Sequence, residues 1–227
     1  MQKVAIFDID GTIFRSSMVI ELVEAFIEND IFPKSVRKEY DKEYRMWFER
    51  EGEYEEYINS VVKAFMKNIK GLHYGVFKDI SKKIIDNQQN RVYKYTRDLV
   101  TKLKNEGYFL LAISQSPKAM VDEFCKKLGF DKVYGRIYEI GPQDLFTGSV
   151  VDEHLIMNKA NIVYRALEKE GISLEGSIGV GDTEGDIPLL ELVEEPICFN
   201  PNNKLYKHAK RLGWKIVVER KDVIYFL

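Results

Sequence analysis

Only two cysteines occur in 227 residues, Cys125 and Cys198, and they stand far apart in the chain. Neither a disulfide framework nor a Cys-x-x-Cys site can be built from them, which suits a reducing compartment. The three histidines, His73, His154 and His208, show no metal-ligand spacing and are read as loop or surface residues. Apolar runs are four to seven residues long, far short of a membrane span, and the N-terminus shows no signal-peptide apolar region. Neither sign of charge dominates, with Lys+Arg 34 against Asp+Glu 36 and a net charge of -2. Nothing in that balance suggests a dedicated nucleic-acid or polyanion surface. The basic run Lys204, Lys207, Lys210 and Arg211 follows one helix face and reads as solvated. The expectation is a soluble, cytoplasmic protein with no nucleic-acid or membrane partner.

What is present is a 45% hydrophobic chain, enough to bury a real core in one domain or in a domain with an insertion. Val4 to Phe7 forms an apolar run that reads as a buried strand. It is followed at once by Asp8-Ile9-Asp10-Gly11-Thr12, with Gly11 marking a turn. Side chains alternate along a strand, so Asp8 and Asp10 share a face, and like charges so close repel. A nearby cation removes the difficulty. The alternative is an ordinary Asp-Gly turn with both acids solvated.

Residues 15 to about 90 carry helical periodicity and no strand signal. Val19 to Ile27 predicts one helix, Val36 to Phe48 a second, Tyr54 to Ile69 a third and Val76 to Asn87 a fourth. Its aromatics read as the block's own packed core. From Val92 onward, helix and strand alternate. Strands are predicted at Tyr108–Ile113, Val133–Tyr138, Ser177–Val180, Ile197–Phe199 and Lys215–Val218. A small hairpin is expected within Gly141–Val151, and helices begin near Pro117 with Ser116 as cap, at Leu155, Asp186 and Lys204. Such alternation argues for an α/β fold, a Rossmann-like parallel sheet with helices on both faces.

Three predicted strands end in polar groups, Asp8, Ser114 and Asp182. In open parallel sheets ligands bind beyond the carboxyl ends of the strands, so these residues converge on one site. Gly181-Asp182-Thr183-Glu184-Gly185-Asp186 adds a second acid pair at a strand-to-helix turn, where Asp186 alone reads as a helix cap. Four carboxylates at two strand ends are costly without a hard dication, and oxygen donors favour Mg²⁺.

Four pieces in order, Asp8-x-Asp10-Gly11-Thr12, Ser114 after an apolar strand, Lys159 in a helix and Gly181-Asp182-x-x-x-Asp186, resemble the haloacid dehalogenase superfamily of phosphohydrolases. The hairpin and Asn200-Pro201-Asn202-Asn203 are similar to its phosphoserine-phosphatase-like branch. The resemblance covers the whole chain. It implies a catalytic core of residues 1–14 and 91–227 and an all-helical cap at 15–90. It also implies a Mg²⁺-dependent phosphomonoesterase acting on a small phosphorylated substrate. Asp8 is then the nucleophile that forms an aspartyl-phosphate, and Asp10 the general acid and base. The metal is implied at Asp8, the backbone carbonyl of Asp10, Asp182 and Asp186. Ser114 and Lys159 bind the phosphoryl oxygens, Gly11, Thr12 and Gln115 lie beside them, and Thr12 orients the loop or the phosphate. An acid at Asp10 favours ester cleavage over dehalogenation, because a halide needs no proton.

The chain departs from phosphoserine phosphatases where they read their substrate. Ser17 stands in place of a Glu, Gln115-Ser116 in place of Gly-Gly, and Gly185 in place of an Asn. Arg45 and Arg50 are candidate cap arginines for a substrate carboxylate, and neither is singled out by spacing. Specificity is therefore expected from Arg15, Ser16, Ser17 and Gln115. The alternatives are a phosphoserine phosphatase proper, a phosphotransferase or mutase with the same intermediate, and a phosphate-binding regulator of weak activity.

Overall fold

A computed structural model describes all residues, Met1–Leu227. Eight strands form one sheet in the order β4-β3-β2-β1-β5-β6-β7-β8. They are β1 (Gln2–Phe7), β2 (Phe109–Pro117), β3 (Lys132–Ile140), β4 (Phe146–Val151), β5 (Ile172–Gly181), β6 (Glu195–Phe199), β7 (Lys215–Arg220) and β8 (Val223–Phe226). The six central strands are parallel, and β4 and β8 close the two edges antiparallel. β1 lies in the middle because Val4, Ala5, Ile6 and Phe7 are apolar on both faces and are fully buried, the pattern of a strand covered on both sides.

The helices are α1 (Met18–Glu28), α2 (Asp41–Phe48), α3 (Tyr54–Ile69), α4 (Tyr74–Gln88), α5 (Lys94–Asn105), α6 (Lys118–Leu128), α7 (Glu153–Ile156), α8 (Lys159–Glu170), α9 (Ile187–Leu190) and α10 (Asn203–Leu212). One apolar cluster runs without a break from α1, α3 and α4 onto one face of the sheet, joining Phe26, Phe65 and Phe77 to Phe7, Ala112 and Val180. A second cluster packs α8, α9 and α10 on the opposite face through Ile162, Leu189 and Leu205. No helix is long and apolar enough to cross a membrane.

Four boundaries differ from the sequence expectation. The second helix is broken into a 3-10 turn (Lys34–Glu39) and α2. Tyr40 leaves helical geometry there, and its hydroxyl donates to Glu24 Oε1 at 2.5 Å. β2 continues to Pro117, so Ser116 belongs to the strand and is not the cap of α6. The predicted helix from Leu155 is interrupted at Met157, and α8 starts afresh with Asn158 Oδ1 accepting from Ala160 N. That restart places Lys159 in the first turn of α8. β8, absent from the sequence reading, pairs with β7 as an edge strand.

Candidate active site

β1 pairs with β2 on one side and β5 on the other, so the polar residues that end these strands meet at one edge of the sheet. Asp8, Asp182 and Asp186 each place a carboxylate oxygen within 4.8 Å of the others. Asp8 and Asp186 are buried and Asp182 is half-buried. Lys159 is buried with them, and its Nζ donates to Asp8 Oδ1 and Asp186 Oδ1 at 2.5 Å each. The other Asp186 oxygen accepts from the backbone N–H groups of Asp182 and Thr183, both at 3.0 Å. Thr12 Oγ1 donates to Asp182 Oδ1 at 3.1 Å. Asp8 Oδ2 has no hydrogen-bond partner in the protein.

Three carboxylates against one ammonium leave the cluster anionic, and the protonation equilibria reflect that. Burial raises the Asp8 pKa to about 7, with Lys159 opposing the rise and Asp186 and Asp10 adding to it. Burial, reinforced by Asp8 and Asp186, holds Asp182 well above its ordinary range. Burial works against the Lys159 ammonium, but Asp186 and Asp8 outweigh it and keep the lysine charged. The donor set fits a hard divalent cation. It is all oxygen and carries excess negative charge in a buried setting.

Asp10 is held apart from this trio. Its Oδ1 accepts from Met18 N at 2.6 Å and its Oδ2 from Ser114 Oγ at 2.6 Å, while Ser114 Oγ accepts from Ser116 N at 2.9 Å. Burial raises the Asp10 pKa, against the Ser114 and Met18 hydrogen bonds. Asp8, Asp10, Lys159 and Asp182 face a cavity of about 310 Å³, roofed by Tyr54, Glu55, Ile58, Asn59, Val62 and Lys63 of α3.

The sequence profile for haloacid dehalogenase-like hydrolases matches residues 5–191. The chain belongs to that family. A putative hydrolase of Mycobacterium leprae is 28% identical over 128 residues, 56% of this chain and 42% of that protein. The matched part is thus less than half the length of such relatives. A phosphoserine phosphatase of Methanocaldococcus jannaschii is 25% identical over 226 residues, 98% of this chain and 94% of that one. Among solved structures, a phospho-aspartyl intermediate analogue of phosphoserine phosphatase shares the fold with a TM-score of 0.64 at 24% identity, covering 97% of this chain and 95% of that one.

Within this hydrolase fold the residues singled out from sequence separate into groups. Asp8, Asp182, Asp186 and Lys159 form the buried cluster, and Asp10, Ser17 and Gln115 line the cavity with Asp8. Thr12 and Ser114 are fully buried and spend their hydroxyls on Asp182 and Asp10. Gly11 directs its N–H to the Phe14 and Ser16 carbonyls. In the structure these three orient carboxylates and shape a loop. The Asp10 side chain, bound by Met18 and Ser114, lies outside the three-acid cluster, which leaves only its backbone carbonyl for a metal. Arg15 lies over the Tyr93 ring at 5.5 Å, and Ser16 donates to Glu21 at 2.5 Å. Neither lines the cavity. Arg45 pairs with Asp41 at the surface. The sequence reading missed Tyr54, Glu55 and Arg136. Arg136 carried a signal in its lone charge inside the apolar strand Val133–Tyr138.

Proposed function

We propose that the protein is a Mg²⁺-dependent phosphomonoesterase, with residues 15–90 acting as a cap over a catalytic core of 1–14 and 91–227. The observation that carries this reading is the buried Asp8–Lys159–Asp186 arrangement with Asp182 at 4.8 Å or less, set beneath a cavity that also receives Asp10. Asp8 Oδ2 attacks the phosphorus in line, and the ester oxygen leaves with the proton of Asp10. A carboxyl with a raised pKa is suited to donate that proton, and the hydrogen bonds from Met18 N and Ser114 Oγ fix its position. Asp10, now a carboxylate, takes a proton from water as the water attacks the aspartyl-phosphate and restores Asp8. Lys159 pairs with Asp8 and Asp186 and lies beside the incoming phosphoryl oxygens. Asp8, Asp182, Asp186 and the Asp10 carbonyl would hold the metal. When bound, it lowers the repulsion between an anionic nucleophile and an anionic ester. The relative named phosphoserine phosphatase, matched over nearly its full length, supports the reaction class, and Ser17, in place of a carboxylate, argues for a different leaving group.

Turnover of p-nitrophenyl phosphate tests the reading. Activity is expected with Mg²⁺, lost with EDTA, and reduced about a thousandfold or more in Asp8→Asn. Metal-independent hydrolysis or full activity in Asp8→Asn would overturn it.

A further inference from the structure

The wall of the cavity contains a buried cation with no direct salt-bridge partner, although the carboxylates of Asp8, Asp10, Glu153 and Asp182 line the same cavity. Arg136 is 7% exposed, its Nε is enclosed without a hydrogen-bond partner, and it lines the same cavity as Asp8. Its Nη2 has two long contacts to uncharged atoms, Gln115 Oε1 at 3.5 Å and Met157 Sδ at 3.4 Å, and the neutral Tyr138 hydroxyl lies beside the guanidinium. A guanidinium removed from water is costly unless it is paired and hydrogen-bonded. Its natural complement is a planar or tetrahedral oxyanion, which it can grip with two parallel N–H donors.

Register indicates where along the strands such an anion would lie, with β2 bulging so that Pro117 is level with Arg136. Phe7 is level with Ala112, and Ile113 with Tyr134, so Arg136 lies two residues beyond the level of Asp8, about 7 Å further along the strands. β3 is the second neighbour of β1, a lateral displacement of about 10 Å. Two residues on, Tyr138 sets its ring 5.2 Å from that of Phe65 in α3, so this stretch of β3 adjoins the helical roof. Lys159 already faces Asp8, where the phosphoryl group binds in the proposed mechanism. Arg136 stands off from that point, toward the space under α3 that the leaving group occupies.

We infer that Arg136 is a specificity-determining residue that selects phosphate esters whose leaving group carries a second oxyanion, a carboxylate or a further phosphate. This rests on the phosphomonoesterase reading. It places the anion reader on a core strand, not in the helical roof.

The test compares kcat/KM for the phosphate esters of ethanol, glycolate, hydroxypropionate and ethanolamine and for ethylene glycol bisphosphate. The wild-type protein is expected to favour at least one anionic ester over ethyl phosphate by about tenfold or more, with the ethanolamine ester poorest. Whether the carboxylates or the bisphosphate lead identifies the source of the oxyanion. Arg136→Gln is expected to lower the anionic-to-ethyl ratio about tenfold or more, chiefly through KM, and Arg136→Lys to recover part of it. A wild-type ratio near one, or an equal loss on all esters in Arg136→Gln, overturns the inference. The second result marks a guanidinium that holds the transferred phosphate or only supports the fold. If Arg136→Gln does not fold, the wild-type ratios and Arg136→Lys decide. If no ester turns over, the phosphatase reading fails separately. Thermal stabilisation by phosphoglycolate beyond that by ethyl phosphate, reduced in Arg136→Lys, then still supports the anion site, and equal stabilisation overturns it.

Discussion

Gly11 sets how closely the ends of β1 and β5 approach. Its φ of +78° lies in the left-handed region, and a Cβ there would stand 2.2 Å from Asp182 Oδ2. Gly11→Ala must therefore either displace Asp182 or unwind the turn. The expected outcome is a loss of Mg²⁺ affinity of about tenfold or more together with reduced thermal stability, read by calorimetric titration and thermal unfolding. Unchanged metal affinity would show that Asp182 does not need this close contact. The same acids make stability depend on pH. Asp8 is raised to about 7 and Asp182 is raised as well, whereas the unfolded carboxyls titrate near 4. Between those limits the folded state holds protons that the unfolded state has released, so these groups stabilise at low pH and lose that contribution as pH rises. In EDTA the Tm is expected to fall several degrees from about pH 5 to about pH 8, and Mg²⁺ to suppress the fall. Parallel curves with and without Mg²⁺ would rule out a metal at this cluster.

α3 divides its residues between two tasks by helical period alone. Tyr57, Val61, Ala64, Phe65 and Ile69 are buried in the core, and Tyr54, Glu55, Ile58, Asn59, Val62 and Lys63 face the cavity. Phe65 is fully buried, with its ring near those of Phe32 and Tyr138, and Phe65→Ala is expected to cost about 3–5 kcal/mol of stability. Ile58→Ala lies on the other face. It is expected to alter the relative kcat/KM of bulky and small esters about tenfold, with a stability change of about 1 kcal/mol or less. Denaturant titration beside a substrate panel checks both, and a selectivity shift in Phe65→Ala as large as that in Ile58→Ala would undo the division. The faces were legible in the sequence as spacing, but periodicity cannot tell a solvent-facing stripe from one that roofs a cavity. Likewise the breaks at Tyr40 and Met157 were hidden, because a buried hydroxyl bonded to Glu24 and a fresh N-cap at Asn158 depend on neighbours distant in sequence or on local geometry that apolar spacing does not report.

At the scale of the whole molecule the helical segment meets the sheet in two ways. Deep in the structure, one apolar cluster joins α1, α3 and α4 to β1 and β2, which resists wholesale separation. At the rim, Lys204 of α10 reaches Glu53, just before α3, and Glu184, after β5, both at 2.9 Å. The start of α3 is thus tied to the core by exposed charges, which salt and substitution can loosen without unfolding the rest. Glu53→Lys is expected to speed amide exchange across α2 and the first turns of α3 by several-fold and to raise KM, while α4 and β1 keep their protection. Equal exchange in both proteins would mean that packing alone holds this end.

The sequence by itself determined the alternating pattern that makes a parallel sheet, the helical insertion after its first strand, and the acids at two strand ends. All of these are local, written in apolar spacing and in charged residues that interrupt it. Only the tertiary structure decided how those residues are used. It turned Thr12 and Ser114 onto carboxylates, moved Arg15 and Ser16 away from the cavity, and brought Arg136 into the cavity wall without a direct salt-bridge partner. A side chain's partner depends on which strands become neighbours and in what register, and no spacing along one strand contains that information.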